Sequence, residues 1–314
     1  MRIALIGDIH LYNLQLRPRQ WFSRRVMGHT NLLLNRRFRF NHGLLHPLMD
    51  KIREIKPEMV LCSGDVTTTS LESEFSDIAK FLKPLSKEIP TVVVPGNHDR
   101  YTFRAQRKLR MEKILEGIMP DTFPYYRRLT DRWHLIGLDS AIPQILMSRG
   151  ALKKKQFSAF EMQLGQLSKE DALVLLCHYP ASSPPGIPNS WAHNLAEAHQ
   201  LRKMLNDCPA RVLYMHGHIH QPWYWQASHK GVAANTDCTG ELAFLNAGSP
   251  CMTSSKYPSG QGFWEVELPQ DPSKQIGLMH HVPVAKRVIG SKRPKNQDHL
   301  TVIDGITWNS RTVL

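Results

Sequence analysis

The chain has 314 residues, with 40 Lys and Arg against 27 Asp and Glu, for a formal charge of +13. That length buries one large or two small cores, and the charge points to an anionic partner: nucleic acid, a phospholipid surface or a phosphorylated substrate. Five scattered cysteines without paired spacing argue against a disulfide framework and a thiolate zinc site. An acid at position 8 interrupts the first apolar run too early for a signal peptide, and no run approaches a membrane span, so a reducing cytoplasm is the expected compartment.

Residues 3–6 read as a short apolar strand ending at Gly7-Asp8-Ile9-His10, which puts Asp8 and His10 on one face of extended chain. No acid occurs between Asp8 and Asp50, while Arg17, Arg19, Arg24, Arg25, Arg36, Arg37 and Arg39 all fall there. The segment 14–40 interleaves these arginines with Trp21, Phe22, Val26, Met27, Leu32, Leu33, Leu34, Phe38 and Phe40. Pro18 can start one short helix, and Gly28 and Asn31 break it before a second. Two readings stand for this insert: a membrane-interface element, or a helical cap that packs its aromatics on the main domain. A cap that also touches lipid satisfies both.

From Asn41, Leu44, Leu45, Leu48, Met49, Ile52 and Ile55 follow helical spacing until Pro57. Residues 59–62 form a second strand, delivering Ser63-Gly64-Asp65. Thr69 and Glu72 read as a capping box, and Leu71, Phe75, Ile78, Ala79 and Leu82 as the apolar face of a helix ending before Pro84. The next strand, 91–94, is apolar on both faces and reads as a buried central strand. It ends in Pro95-Gly96-Asn97-His98-Asp99. Asn97 can give a neutral oxygen to a metal, His98 can transfer a proton, and Asp99 can orient that imidazole. Short crossover helices between apolar strands predict parallel, right-handed β-α-β-α-β.

Residues 100–113 carry Arg104, Arg107, Lys108, Arg110 and Lys113 and read as a solvated helix face. Residues 125–129 and 133–138 alternate as a hairpin, and a helix follows over 157–167. The apolar run 172–176 ends in Cys177-His178; Cys177 and Cys62 read as small buried hydrophobes. After the Pro-rich stretch 180–188 and a helix near 195–205, strand 212–215 ends in His216-Gly217-His218-Ile219-His220. Three alternate histidines around a glycine are a metal-ligand signal. Short strands at 223–225, 243–245, 262–268 and 276–282 read as a second, more antiparallel sheet, and 286–314 as a basic extension without assigned structure.

Asp8-x-His10, Gly64-Asp65, Gly96-Asn97-His98-Asp99, His178 and Gly217-His218-x-His220 therefore occur in order, each at or just beyond a strand's carboxyl end. In this the chain resembles the calcineurin-like metallophosphoesterases over residues 1 to about 250. The resemblance implies a four-layer α/β/β/α sandwich of two mixed sheets, here one domain over 1–285 with the 14–40 insert as a substrate or membrane cap. It implies two divalent ions, with Mn²⁺ favoured over Fe, Zn²⁺ or Mg²⁺: Asp8, His10, Asp65 and His220 at one, Asp65, Asn97, His178 and His218 at the other. His98, oriented by Asp99, would stabilise or protonate the leaving oxygen of a phosphate ester.

Within the family, the insert and Ser-Gly-Asp-Val-Thr-Thr-Thr-Ser look like the UDP-2,3-diacylglucosamine pyrophosphatases of lipid A synthesis, nearest the chlamydial type. That implies a lipid-linked sugar nucleotide as substrate, with UMP and 2,3-diacylglucosamine 1-phosphate as products. It also implies peripheral association with the anionic inner face of the cell membrane, with Trp21, Phe22, Arg24, Arg25, Arg36 and Arg37 as substrate or membrane contacts. No protein partner is implied. The rivals are a DNA nuclease, a soluble phosphodiesterase for cyclic nucleotides or phosphoproteins, and a metal-stabilised binding module. Nucleic acid is disfavoured because Leu32-Leu33-Leu34 suits acyl chains better than a phosphate backbone.

Overall fold

The computed structural model describes residues 1–13, 39–144, 147–187, 193–226, 241–252, 262–284 and 306–314. The helices expected within 14–38, and with them Trp21, Phe22, Arg24, Arg25, Arg36 and Arg37, lie outside the described residues.

Among those residues, β1 (Arg2–Ile6), β2 (Met59–Cys62) and β3 (Thr91–Val93) pair in parallel through the crossover helices α1 (Leu45–Ile55) and α2 (Glu72–Glu88). The chain then forms two single-turn helices, α3 (Phe103–Arg107) and α4 (Arg110–Ile114), and an antiparallel hairpin of β4 (Tyr125–Arg128) and β5 (Trp133–Gly137). Parallel β6 (Ala172–Leu176) and β7 (Arg211–His216) follow α5 (Lys154–Leu164) and α6 (Ala198–Asn206) respectively. The last strands are β8 (Trp223–Gln226), β9 (Leu242–Asn246), β10 (Phe263–Glu267), β11 (Gly277–Val284) and β12 (Thr307–Thr312).

Two six-stranded mixed sheets result, in the orders β12-β11-β10-β1-β2-β3 and β4-β5-β6-β7-β9-β8. The alternation of each strand explains how they stack. Ile3 and Leu5 of β1 meet Trp133 and Leu135 of β5 and Val174 and Leu176 of β6 in a core between the sheets. The intervening Ala4 and Ile6 face α1 and α2 through Leu48, Ile52, Phe75 and Ile78. Leu173 and Leu175 face Phe160 of α5 and Leu201 of α6. The layers are α/β/β/α, as the resemblance implies. Among the described residues no helix is long and apolar enough to cross a membrane.

Several local expectations are corrected. β3 is buried, yet it forms the edge of its sheet rather than a central strand. Its outer edge is covered by chain, not another strand: the Val93 amide donates to the Ile118 carbonyl at 2.9 Å. The carboxyl-terminal strands do not make a separate sheet. β8 and β9 extend the second sheet and β10 to β12 the first, because β1 offers an open edge to β10 while the edge of β7 takes β9 in parallel. β12 also orders part of the stretch left unassigned. α2 runs through Pro84 to Glu88, since Leu85 continues its buried face. Its start is held not by Glu72 but by Glu74, whose carboxyl accepts the amides of Thr69 and Leu71, both at 2.9 Å. Arg100, at the head of the supposedly solvated segment, is only 4% exposed and pairs with Glu112 and Asp139.

Candidate metal centre

Every motif singled out in the sequence reaches one rim, the carboxyl ends of β1, β2, β3, β6 and β7. Parallel pairing within each sheet and face-to-face stacking bring these ends together. Asp8, His10, Asp65, His218 and His220 all take positive φ, between 49° and 75°, a region that non-glycine residues enter only where the surroundings hold them there. Sharp turns at strand ends aim their side chains inward. Glycines make room beside them. A Cβ on Gly217 would stand 2.2 Å from Asp8 Oδ2, and one on Gly96 2.2 Å from Asp65 Oδ1.

The first group is Asp8, His10, Asp65 and His220, whose ligand atoms all lie within 4.8 Å of one another. His10 Nε2 faces His220 Nε2 at 2.8 Å and Asp65 Oδ2 at 3.6 Å, and His220 Nε2 stands 3.3 Å from Asp8 Oδ1. The second group shares Asp65. His178 Nε2 is 3.4 Å from Asp65 Oδ2 and 3.1 Å from Asn97 Oδ1, and His218 Nδ1 is 3.0 Å from the same Asn97 oxygen.

The chemistry of these donors tests whether cations fit. His178 Nδ1 lies 2.8 Å from the Ser63 carbonyl, so in the neutral ring it carries the hydrogen, and Nε2 is left as a lone pair aimed at two oxygen acceptors. A buried cluster of acceptors needs a proton or a metal ion at its centre. Burial alone would lower the His178 pKa, but the carboxylates of Asp65 and Asp8 push it up to about 9. Burial would raise Asp65, and the His178, His98 and His10 imidazoles instead hold it well below the ordinary carboxyl range. Oxygen and imidazole donors without thiolate, in two sets joined by one carboxylate, fit a pair of divalent ions.

The residues around the ligands were less legible. The Asp8 carbonyl accepts from Ser249 Oγ at 2.6 Å, and the His10 carbonyl from Thr68 Oγ at 2.6 Å. Asn246 Nδ2 donates to the Gly217 carbonyl at 3.0 Å. The available signals were the hydroxyl run Thr67 to Ser70 after Asp65, and Asn246 to Ser249 following an apolar strand as the other motifs do.

Two expectations change. Asp99 does not orient the His98 ring. Its carboxylate accepts the amides of Gly96, Val66 and Thr67 and the Thr67 hydroxyl, tying the β2 and β3 turns together. Burial, with Asp65 nearby, pushes its pKa up to about 6. The His98 ring is set by the Thr68 carbonyl, 2.7 Å from Nδ1, and stacks on Tyr101 at 5.6 Å. His216, the first of the three alternate histidines, is a core residue against Trp223 and Tyr214, its pKa lowered by burial to about 3. Phe40, the described end of the insert, packs its ring 4.9 Å from His10 and 5.9 Å from His220.

Comparisons with known proteins bear on the family and the fold. The chain is 27% identical over 179 residues to a 3',5'-cyclic adenosine monophosphate phosphodiesterase of Haemophilus influenzae, covering 54% of this chain and 59% of that protein. It is 26% identical over 172 residues to a probable glycerophosphodiester phosphodiesterase of Arcobacter nitrofigilis, covering 53% and 58%. Both matches thus span under two thirds of the relatives' own length. In structure it resembles a dimetal phosphatase from Danio rerio, with TM-score 0.56, 12% identity and coverage of 89% and 94%. It also resembles a purple acid phosphatase from yellow lupin, with TM-score 0.56, 12% identity and coverage of 89% and 50%. Those likenesses speak to the fold. Residues 1–222 match the family described as calcineurin-like phosphoesterase, and with that match over most of its length the chain belongs to that family.

Proposed function

We propose that the protein is a two-metal hydrolase that splits the pyrophosphate of UDP-2,3-diacylglucosamine with water to give UMP and 2,3-diacylglucosamine 1-phosphate. The observation that carries the hydrolase reading is the convergence of seven oxygen and nitrogen donors into two groups sharing Asp65. Divalent ions held there supply charge stabilisation on phosphoryl oxygens and activation of water. The chain's own residues do the rest. Asp8 and Asp65, buried and fixed by backbone amides, hold the anionic charge that such ions need. His98, its Nδ1 held by the Thr68 carbonyl, exchanges a proton with the leaving oxygen. Mn²⁺ is the favoured ion, since the donors are hard and borderline rather than thiolate.

The choice of substrate rests on the insert. Its arginines suit a diphosphate and its aliphatic and aromatic residues suit acyl chains. Its described end, Phe40, lies against His10 and His220, a position that supports this reading. Cytoplasmic location with peripheral attachment to the inner membrane face follows from such a substrate. A second reading, hydrolysis of a soluble cyclic nucleotide or glycerophosphodiester, is favoured by what the two sequence relatives are named for.

Product analysis separates these readings. Purified protein with Mn²⁺ is expected to release UMP from UDP-2,3-diacylglucosamine faster than it turns over cyclic AMP, glycerophosphodiesters or DNA. Rapid hydrolysis of one of those with no action on the acylated sugar nucleotide would overturn the lipid assignment and leave the hydrolase standing.

A further inference from the structure

Directly after the Asn97-His98-Asp99 turn, α3 and α4 carry two large apolar side chains into solvent: Phe103 is 51% exposed and Leu109 48%. Leu109 joins the two helices at φ 50° and ψ 50°, a left-handed conformation that glycine or asparagine adopts far more readily. One residue thus bears both an exposed apolar side chain and an unfavourable backbone, a combination that folding alone does not reward.

Four exposed cations share this segment with the two apolar residues. Arg104, Arg107, Lys108 and Lys113 are all exposed. None of them forms an ion pair among the described residues, unlike Lys51, Arg53, Lys80 and Arg128, which do. The nearby acids are spent elsewhere, Glu112 and Asp139 both on the buried Arg100. Within 103–113 Glu112 is the one acid, and the next acids along the chain, Glu116 and Asp121, are exposed. Exposed apolar side chains interspersed with cations that form no ion pair among the described residues are complementary to the headgroup layer of an anionic bilayer. A phosphate backbone would satisfy the cations but has no use for Leu109, which cannot stack on a base.

We propose that residues 103–113 form a docking surface for an anionic lipid bilayer, with Phe103 and Leu109 entering the headgroup layer and Arg104, Arg107, Lys108 and Lys113 against lipid phosphates. The surface shares no residue with the 14–40 insert and does not depend on the identity of the substrate. Through Tyr101, stacked on His98, it adjoins the rim where the ligands converge.

The test uses the full chain and vesicles of phosphatidylcholine, alone or mixed with phosphatidylglycerol. Phe103→Ser/Leu109→Ser and Arg104→Glu/Lys108→Glu are expected each to weaken partitioning to the mixed vesicles by about tenfold or more. Hydrolysis of a small soluble phosphodiester should stay at the wild-type rate. Phe103→Trp, which keeps the apolar contact, should bind as wild type does and add tryptophan emission quenched by brominated acyl chains. Unchanged partitioning of both double variants, or no added quenching at position 103, overturns the proposal. So does loss of duplex DNA binding in the charge-reversed variant while vesicle binding is unaltered. Trp21→Ala/Phe22→Ala, assayed in parallel, reports on the insert separately, so either surface can fail while the other stands.

Discussion

At Asp65 the same carboxylate faces imidazoles of both ligand groups, with Oδ2 3.6 Å from His10 and 3.4 Å from His178. His98 stands beside them, its amide donating to Asp65 Oδ1 at 2.7 Å and its ring held by Thr68. Their substitutions should therefore behave differently. Asp65→Asn is expected to lose bound metal and activity together, because it removes the charge that both groups share. His98→Ala should retain both ions while turnover falls by about 10²- to 10⁴-fold, the usual worth of a positioned acid or base. Metal analysis beside steady-state kinetics checks both. A fully active His98→Ala protein would remove the proton-transfer role. These identities were legible from residue order alone, whereas the true duty of Asp99 was not, since a turn carboxylate can bond its own backbone or its neighbour's ring equally well on paper.

At the scale of elements, the start of α2 depends on a buried acid. Glu74 accepts the Thr69 and Leu71 amides and the Thr69 hydroxyl, which fixes the chain following Asp65 to the helix that supports it. Burial pushes its pKa from 4.5 up to about 7. The folded protein therefore binds this proton more tightly than the unfolded chain does. Its contribution is fully present below pH 4.5 and is lost as pH rises through about 7, a change on the order of 3 kcal/mol. Glu74→Gln removes the charge while keeping an oxygen for the Thr69 and Leu71 amides. It should flatten the pH dependence of denaturant midpoints over that window and match or exceed wild-type stability near pH 8. A wild-type slope in the variant would assign the dependence to another group. The sequence placed the cap on Thr69 and Glu72; a two-residue shift in helix start is decided by which acid the packed loop encloses.

For the molecule as a whole, two sheets converge their strand ends on one rim, and the 14–40 insert leaves and rejoins the described chain there, at Asn13 and next to Phe40. If this insert holds lipid, Trp21→Ala/Phe22→Ala and Arg24→Glu/Arg25→Glu should co-sediment less with anionic vesicles than wild type. The electrostatic part, roughly 1 kcal/mol for each arginine near the surface, should weaken with added salt. Hydrolysis of a small soluble phosphodiester serves as the folding control. Equal sedimentation of all three proteins with a normal control would make the insert a structural cap.

What the sequence determined by itself was local: which runs are strands, which polar residues stand at their carboxyl ends, and which donor types those residues offer. Period-two alternation and turn chemistry are properties of neighbouring residues, so Asp8, His10, Asp65, Asn97, His178, His218 and His220 could be picked out along the chain. Strand order was decided only in three dimensions. β3 became an edge, β10 returned to β1 across more than 250 residues, and Arg100 was buried between Glu112 and Asp139. Pairing depends on which edges remain open once other strands have met, and burial of a charge depends on acids brought from distant elements. Neither is a property of any stretch of chain taken alone.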